Sequence, residues 1–320
     1  MKKQRDLSTA ASLSAEVRED LYRRILLIRL FEERVLDLFG EGRLSGTTHT
    51  CVGQEAVAVA AVSNLSAKDL IFSSHRCHGH FLARFDDPVP LLAELMGREG
   101  GACRGRGGSQ NLCREGFYSS GVQGGYAPIV TGMALAEKLR GTGRVVAAFI
   151  GDGTFGEGTL YESLNLASLW RVPLLFVVEN NRYAQTTPIS VNMAGTIAAR
   201  AEAFGVLSAE IESNDVARLL PFFEAAAGQV RGGGGPMVAI VHTYRLRAHS
   251  KGDDDRPPEE IDAWRAEDPL IHAARGMAPE ALRGIEAQVR ARLEAAEREV
   301  EAMPPARMES SGGSGRGSAR

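Results

Sequence analysis

Two short polar segments, each following an apolar run, carry the strongest chemical signal in the chain. The run VVAAFI ends at Gly151-Asp152-Gly153-Thr154, and the run PLLFVVE ends at Asn180-Asn181. Asp152 offers a carboxylate, and Asn181, 29 positions later, offers an amide oxygen. Hard oxygen donors of this kind suit a divalent cation such as Mg2+, which keeps several waters and takes substrate phosphates to complete its octahedron. Glycines on both sides of Asp152 let a backbone approach a diphosphate closely. A helix starting near Gly156 would aim its amide hydrogens at the same anion. A lone Gly-Asp-Gly is most simply a tight turn. With a strand before it, a helix after it and Asn-Asn on the next strand end, it becomes a ligand site.

The elements that position these residues read as α/β. Continuous apolar runs at DLIFSS, VVAAFI, PLLFVVE and MVAIVHTYR (237–245) suit strands covered on both faces. Helical patterns alternate with them: 15–39, QEAVAVAAVSNL, 87–96, 128–140, TLYESLNLASLW, 195–204, 215–231 and 278–302. Alternating strands and helices predict a doubly wound, mostly parallel sheet. Ligands of such sheets lie beyond the carboxyl ends of the strands. Two further segments leave predicted strands at that edge, SHRCHGH after DLIFSS and RLRAHS after MVAIVHTY. The stretch 97–125 is a long Gly-rich loop interleaved with Arg, Ser, Gln and Asn, and a loop of that length is functional or disordered. We expect a flexible arm over 1–14, one domain over 15–303 and a disordered Gly/Ser-rich tail over 304–320.

The 320 residues are 44% hydrophobic and 24% charged, with a net charge of −3. That balance lacks the basic footprint of a nucleic-acid binder. No apolar run is long enough to span a bilayer. The basic start has no apolar segment of a secretory signal, so a cytoplasmic protein is expected. Cys51, Cys77, Cys103 and Cys113 form no C-x-x-C pair, which leaves zinc-ribbon and redox-motif readings without support. His75, His78 and His80 lack the partners of a zinc set. His78 and His80 read as structural, and His242, inside a strand run, reads as a core residue.

The segment GDGTFGEGTLYESLNLASLWRVPLLFVVENNRY resembles the thiamine diphosphate motif, and more closely the α subunit of 2-oxoacid dehydrogenase decarboxylase components, the group of pyruvate, branched-chain and acetoin dehydrogenases. HTCVGQEA, SSHRCHGH, GGSQNL and HTYRLRAHS extend the likeness from about Tyr22 to about Leu270. The resemblance implies a thiamine diphosphate-binding fold, here its diphosphate-binding half, with Asp152, Asn181 and the carbonyl of Tyr183 on Mg2+. It implies that Arg76, with His75 before it, serves the diphosphate, which Gly153 and Thr154 flank. Gly121 and Gln123 would touch the aminopyrimidine. His249 would stand at the diphosphate and the reacting centre, and His49 would face the substrate, so these two are the candidate catalytic residues. The implied activity is decarboxylation of a 2-oxo acid, or cleavage of acetoin, with transfer of the acyl group to a lipoyl acyltransferase. The alternative is an acyloin-forming or two-carbon-transferring enzyme of the same fold. A β subunit is implied, in an α2β2 heterotetramer, with the helices 127–139 and 160–170 as candidate interface. The chain departs from the family pattern at His75, Gln110-Asn111, Val122-Gln123 and Ala248, all toward the substrate end. Of the family's regulatory serine loop only Ser250 is matched, so phosphorylation control is not expected.

Overall fold

Seven strands form the central sheet in the order β2-β3-β1-β4-β5-β9-β8, all parallel except β2 against β3. The strands are β1 (Leu70–Ser73), β2 (Cys113–Arg114), β3 (Phe117–Ser119), β4 (Val146–Gly151), β5 (Leu174–Asn180), β6 (Tyr183–Ala184), β7 (Thr187–Pro188), β8 (Leu207–Glu212) and β9 (Met237–His242). β6 and β7 pair separately as a small hairpin. Before the β6 hairpin lie the helices α1 (Ala15–Gly40), α2 (Glu55–Ser63), α3 (His78–Phe85), α4 (Val89–Leu95), α5 (Ala127–Arg140) and α6 (Gly158–Trp170). After it come α7 (Ile189–Asn192), α8 (Ile197–Ala203), α9 (Val216–Gln229), α10 (Pro258–Arg265), α11 (Pro269–Ala273) and α12 (Pro279–Ala302). This computed structural model describes residues 13–250, 252 and 254–307. Most of the expected arm and residues 308–320 of the expected tail lie outside the described residues. Residues 304–307 run beside the loop after α4, where Glu99 N donates to Pro304 O (3.0 Å) and Ala306 N to Gly97 O (2.8 Å).

The apolar runs are continuous because both faces of the sheet are covered. Ala147, Phe149, Leu175, Val177, Ala239 and Val241 point into one core, shared with α1, α2 and α9. Their alternates Val146, Ala148, Phe176, Val178, Val238 and Ile240 point into the other, shared with α5 and α6. The doubly wound expectation is met. Two pieces of the sheet escaped it. β8, reading LSAEIE, is an edge strand whose residues are all half-buried or exposed, so it lacks the apolar signature of the central strands. β2 and β3 are only two and three residues long and sit inside the Gly-rich loop.

Two buried carboxylates, Glu55 and Glu94, brace the segments around them. Arg29 of α1 bonds Glu55 of α2 (2.5 Å) and both oxygens of Asp268 ahead of α11 (2.9 Å each), tying three segments together. Glu94 of α4 folds the long loop around itself. Its Oε2 accepts from Cys103 N (2.6 Å) and Gly105 N (2.9 Å), and its Oε1 from Gly107 N (2.5 Å) and Gly108 N (3.2 Å). A carboxylate accepting four amides is a strong organiser, because charge-assisted bonds are roughly twice as strong as neutral ones. The glycines are there because a side chain at Gly107 would collide with the Asn111 carbonyl, 1.9 Å from a Cβ.

Candidate functional site

Parallel pairing brings the two polar segments together. β4 and β5 are in register from Val146 opposite Leu174 to Gly151 opposite Glu179, so Asp152 and Asn181 leave neighbouring strands at the same edge. After β4 the chain enters a 3-10 turn, Asp152–Gly156, and α6 begins only at Gly158, two residues later than the sequence suggests. After β5 the backbone reverses at Arg182, whose φ of 70° lies in the left-handed region. Two side-chain turns hold that reversal. Asn180 Oδ1 accepts from Arg182 N (3.1 Å), and Asn181 Oδ1 accepts from Tyr183 N (3.2 Å). The hairpin that follows packs on the Asp152 turn so closely that a Cβ at Gly153 would stand 2.8 Å from the Ala184 Cβ.

A cavity of about 340 Å³ opens here. His49, His75, Arg76, Gly121, Gln123, Asp152, Gly153, Thr154, Asn181, Tyr183 and His249, the whole set singled out in the sequence, line it. Gln54, Gln110, Glu157 and Glu179 line it too, and none of these was singled out as a site residue. Gln54 lies inside VGQEA and Glu179 directly precedes Asn-Asn, so proximity to the motifs was the only available signal.

Asp152 is the most telling side chain. It is 2% exposed, and neither carboxylate oxygen accepts a hydrogen bond among the described residues. Burial pushes its pKa up to about 6, against the opposing pull of Arg245 and of nearby amides at Asp152, Gly153 and Asn181. A buried carboxylate left unpaired is costly and calls for an explanation. Thr154 Oγ1, Gln123 Nε2 and both polar atoms of Gln54 are also buried without partners among the described residues. These unsatisfied atoms surround one cavity, which is the pattern of a site built for a polar ligand.

Two buried guanidiniums, Arg76 in the cavity lining and Arg245 near Asp152, make no ion pair among the described residues. Arg76, 4% exposed, follows β1. Its Nη1 donates to the Thr50 carbonyl, and its Nη2 meets His249 Nδ1 at 3.4 Å. Arg245, 2% exposed, donates to the carbonyls of Arg247 and Gln185. Among the described residues neither guanidinium pairs with a carboxylate. Burial, with Arg76 and Arg256 beside it, pushes Arg245 down to about 9, which leaves it cationic at neutral pH. Arg256 differs, being paired with Asp254 at 2.7 Å. Two buried, carboxylate-free guanidiniums fit a multiply charged anion.

The three cavity histidines meet edge to face or tilted, with ring centroids 4.6 Å apart for His49 and His75, 4.7 Å for His49 and His249, and 5.4 Å for His75 and His249. Burial and the neighbouring Arg76 hold His75 well below the usual imidazole range, so it is neutral at pH 7. The other histidines serve other ends. His78 bridges Glu32 (2.9 Å) and Ser109, and His80 bonds Ser73 Oγ (2.8 Å). His242 is not the core residue its strand position suggested. It ends β9, half-buried, between Asn180 and Glu210 (3.1 Å each), because β8 beside it is an open edge.

The family model described as "Dehydrogenase E1 component" matches residues 22–309. The α subunit of acetoin:2,6-dichlorophenolindophenol oxidoreductase from Cupriavidus necator is 37% identical over 316 residues, covering 93% of each chain. The α subunit of the pyruvate dehydrogenase E1 component from Rhizobium meliloti is 38% identical over 269 residues, covering 82% of this chain and 77% of its own. The acetoin oxidoreductase α subunit of Bacillus subtilis is 37% identical over 246 residues, covering 76% and 74%.

Proposed function

The chain belongs to the dehydrogenase E1 component family, and on that premise we propose that it is the α subunit of a thiamine diphosphate- and Mg2+-dependent 2-oxoacid or acetoin dehydrogenase. One observation carries the reading: the buried carboxylate of Asp152 at the end of β4, without a hydrogen-bond partner among the described residues, in one cavity with Asn181 and the buried guanidinium of Arg76. In this reading Asp152, the Asn181 side chain and the Tyr183 carbonyl hold Mg2+. Arg76, with His75 beside it, holds the diphosphate, and Gly153 and Thr154 close around it. Gly121 and Gln123 receive the aminopyrimidine.

The bound cofactor supplies an electron sink beside a substrate carbonyl, which carbon–carbon cleavage requires. The chain's own residues bind, orient and move protons. Arg76 can only donate, so its contact with His249 Nδ1 makes that nitrogen the acceptor and leaves the proton on Nε2. His249 then offers a fixed N–H donor to a substrate oxygen. His49, packed edge-on against it, orients the substrate and exchanges protons, imidazole being the side chain that titrates near neutral pH.

We expect a β subunit in an α2β2 assembly. Ile129 and Leu139 on α5 and Leu169 on α6 are more than half exposed, an apolar surface that supports a protein partner on that face. The acyl group would pass to a lipoyl acyltransferase. The test is co-expression with the cognate β chain, followed by assay of 2-oxo acids and acetoin with an artificial electron acceptor, and in a parallel arm with an aldehyde. Turnover that needs both thiamine diphosphate and Mg2+ supports the reading. Turnover that survives removal of both, or none with any substrate in the electron-acceptor arm, overturns it. Product only in the aldehyde arm would transfer the chain to carbon–carbon bond formation.

A further inference from the structure

A carboxylate outside the cavity ties two of its walls together. Glu260 stands on α10 and belongs neither to the cation site nor to the cavity lining. Its Oε2 accepts from the Tyr183 hydroxyl (2.8 Å) and its Oε1 from the Tyr244 hydroxyl (2.8 Å). Tyr183 begins the β6–β7 hairpin, and Tyr244 lies just beyond β9, next to Arg245. We propose that Glu260 is a positioning residue for the cation site: by clasping both hydroxyls it holds the hairpin, and with it the Tyr183 carbonyl, against the segment that follows β9. The inference rests on the assignment of that carbonyl to Mg2+.

The hairpin has little to hold it by itself. β6 and β7 pair over two residues each, and a two-stranded ribbon of that length is marginal alone. At its tip, Arg245 Nη2 donates to the Gln185 carbonyl (2.9 Å). At its start, the Asn181 turn holds the Tyr183 amide, and Glu260 pins the far end of the Tyr183 ring. The other half of the clasp is firmly anchored. Tyr244 is fully buried, and the Trp264 indole of α10 stacks on it with centroids 5.1 Å apart and planes 2° from parallel. Arg256, ahead of α10, lies 4.8 Å over the Tyr244 ring and donates to the carbonyls of Arg245 (2.7 Å) and Arg247 (2.8 Å). The Arg182 guanidinium lies 5.1 Å over the Trp264 ring, so the same helix also meets the turn before the hairpin. Burial and the Glu260 carboxylate raise both phenols above the usual tyrosine range, so each keeps the proton that it donates. Hydrogen bonds to an ionised acceptor are roughly twice as strong as neutral ones, which suits a contact that fixes a backbone.

The test uses the full-length chain with its β chain and reads two quantities. Hydrogen exchange of the amides 182–187 is followed by mass spectrometry in EDTA without cofactor, and thiamine diphosphate binding is followed by calorimetry as Mg2+ is varied. Glu260→Ala should speed exchange over 182–187 and raise the Mg2+ needed for half-maximal binding, each about tenfold, the loss expected for bonds to a charged acceptor. Glu260→Gln should change both less than about threefold, because its amide accepts from one phenol and donates to the oxygen of the other. Tyr183→Phe should act in the same direction as Glu260→Ala, and the two together should be no worse than Glu260→Ala alone, as substitutions on one contact are not additive. The inference alone is overturned if the wild type binds in Mg2+ and Glu260→Ala matches it in either measurement, if Glu260→Gln is as impaired as Glu260→Ala, or if the effects of Glu260→Ala and Tyr183→Phe add. A wild type whose cofactor binding ignores Mg2+ overturns the cation reading itself, and this inference with it.

Discussion

Replacing Asp152 by Asn should make the metal-free protein more stable at neutral pH while abolishing its response to Mg2+. The carboxyl is raised from 3.8 to about 6 by burial, so the folded chain binds this proton more tightly than the unfolded chain does. A raised acid destabilises in one direction only. The penalty is absent below pH 3.8, grows as pH rises through the window from 3.8 to 6, and is complete above it. A shift of roughly two pH units is worth about 3 kcal/mol at pH 7. The substituted amide is also buried and loses about 1–2 kcal/mol of that gain to its own unmet hydrogen bonds. The net expectation is a gain of about 1–2 kcal/mol, or about 2–4 °C in melting temperature for a chain of this size. The advantage should shrink by about 1 kcal/mol between pH 8 and pH 5, because the wild-type carboxyl is then largely protonated. Thermal and urea unfolding in EDTA across that range measures this directly. Added Mg2+ and thiamine diphosphate should stabilise the wild type and leave Asp152→Asn unmoved. A variant that is less stable than wild type at pH 8 in EDTA, or an advantage that does not change with pH, would refute the reasoning.

Arg76→Gln removes a buried cation that makes no ion pair among the described residues, so cofactor affinity measured by calorimetry should fall about 30–160-fold, the worth of a charge-assisted contact of about 2–3 kcal/mol. Glu94→Ala strips the acceptor from four loop amides and should cost about 3 kcal/mol or more in urea unfolding, with new proteolytic cleavage within 97–112. Gly153→Ala places a methyl 2.8 Å from the Ala184 Cβ and should cost about 1–3 kcal/mol, with Ala184→Gly restoring much of it. Arg29→Met leaves the fully buried Glu55 without its cation and should cost about 3–5 kcal/mol, read from the urea midpoint.

The sheet's centre was legible because physics writes it plainly. A strand with both faces covered has no polar positions, and VVAAFI, PLLFVVE and MVAIVH show none before their last residue. From three such strands, parallel pairing follows, and with it the meeting of Asp152 and Asn181. β8 was not legible because an edge strand may keep Ser and Glu in its ladder, as Ser208, Glu210 and Glu212 do. The order of the Gly-rich loop was hidden for another reason: it depends on Glu94, a residue of the preceding helix that no local pattern marks as a hub. The same holds within the cavity. Motif residues stood out by spacing, whereas Gln54 stands out by unsatisfied polar atoms, a property that exists only after folding.

The central claim is that Asp152 and Asn181 hold a cation that in turn holds a diphosphate. Calorimetric titration of thiamine diphosphate into the full-length protein with its β chain, in Mg2+ and again in EDTA, tests it most directly. The account predicts saturable binding in Mg2+ that disappears in EDTA and in Asp152→Ala. Equal affinity under all three conditions would contradict it.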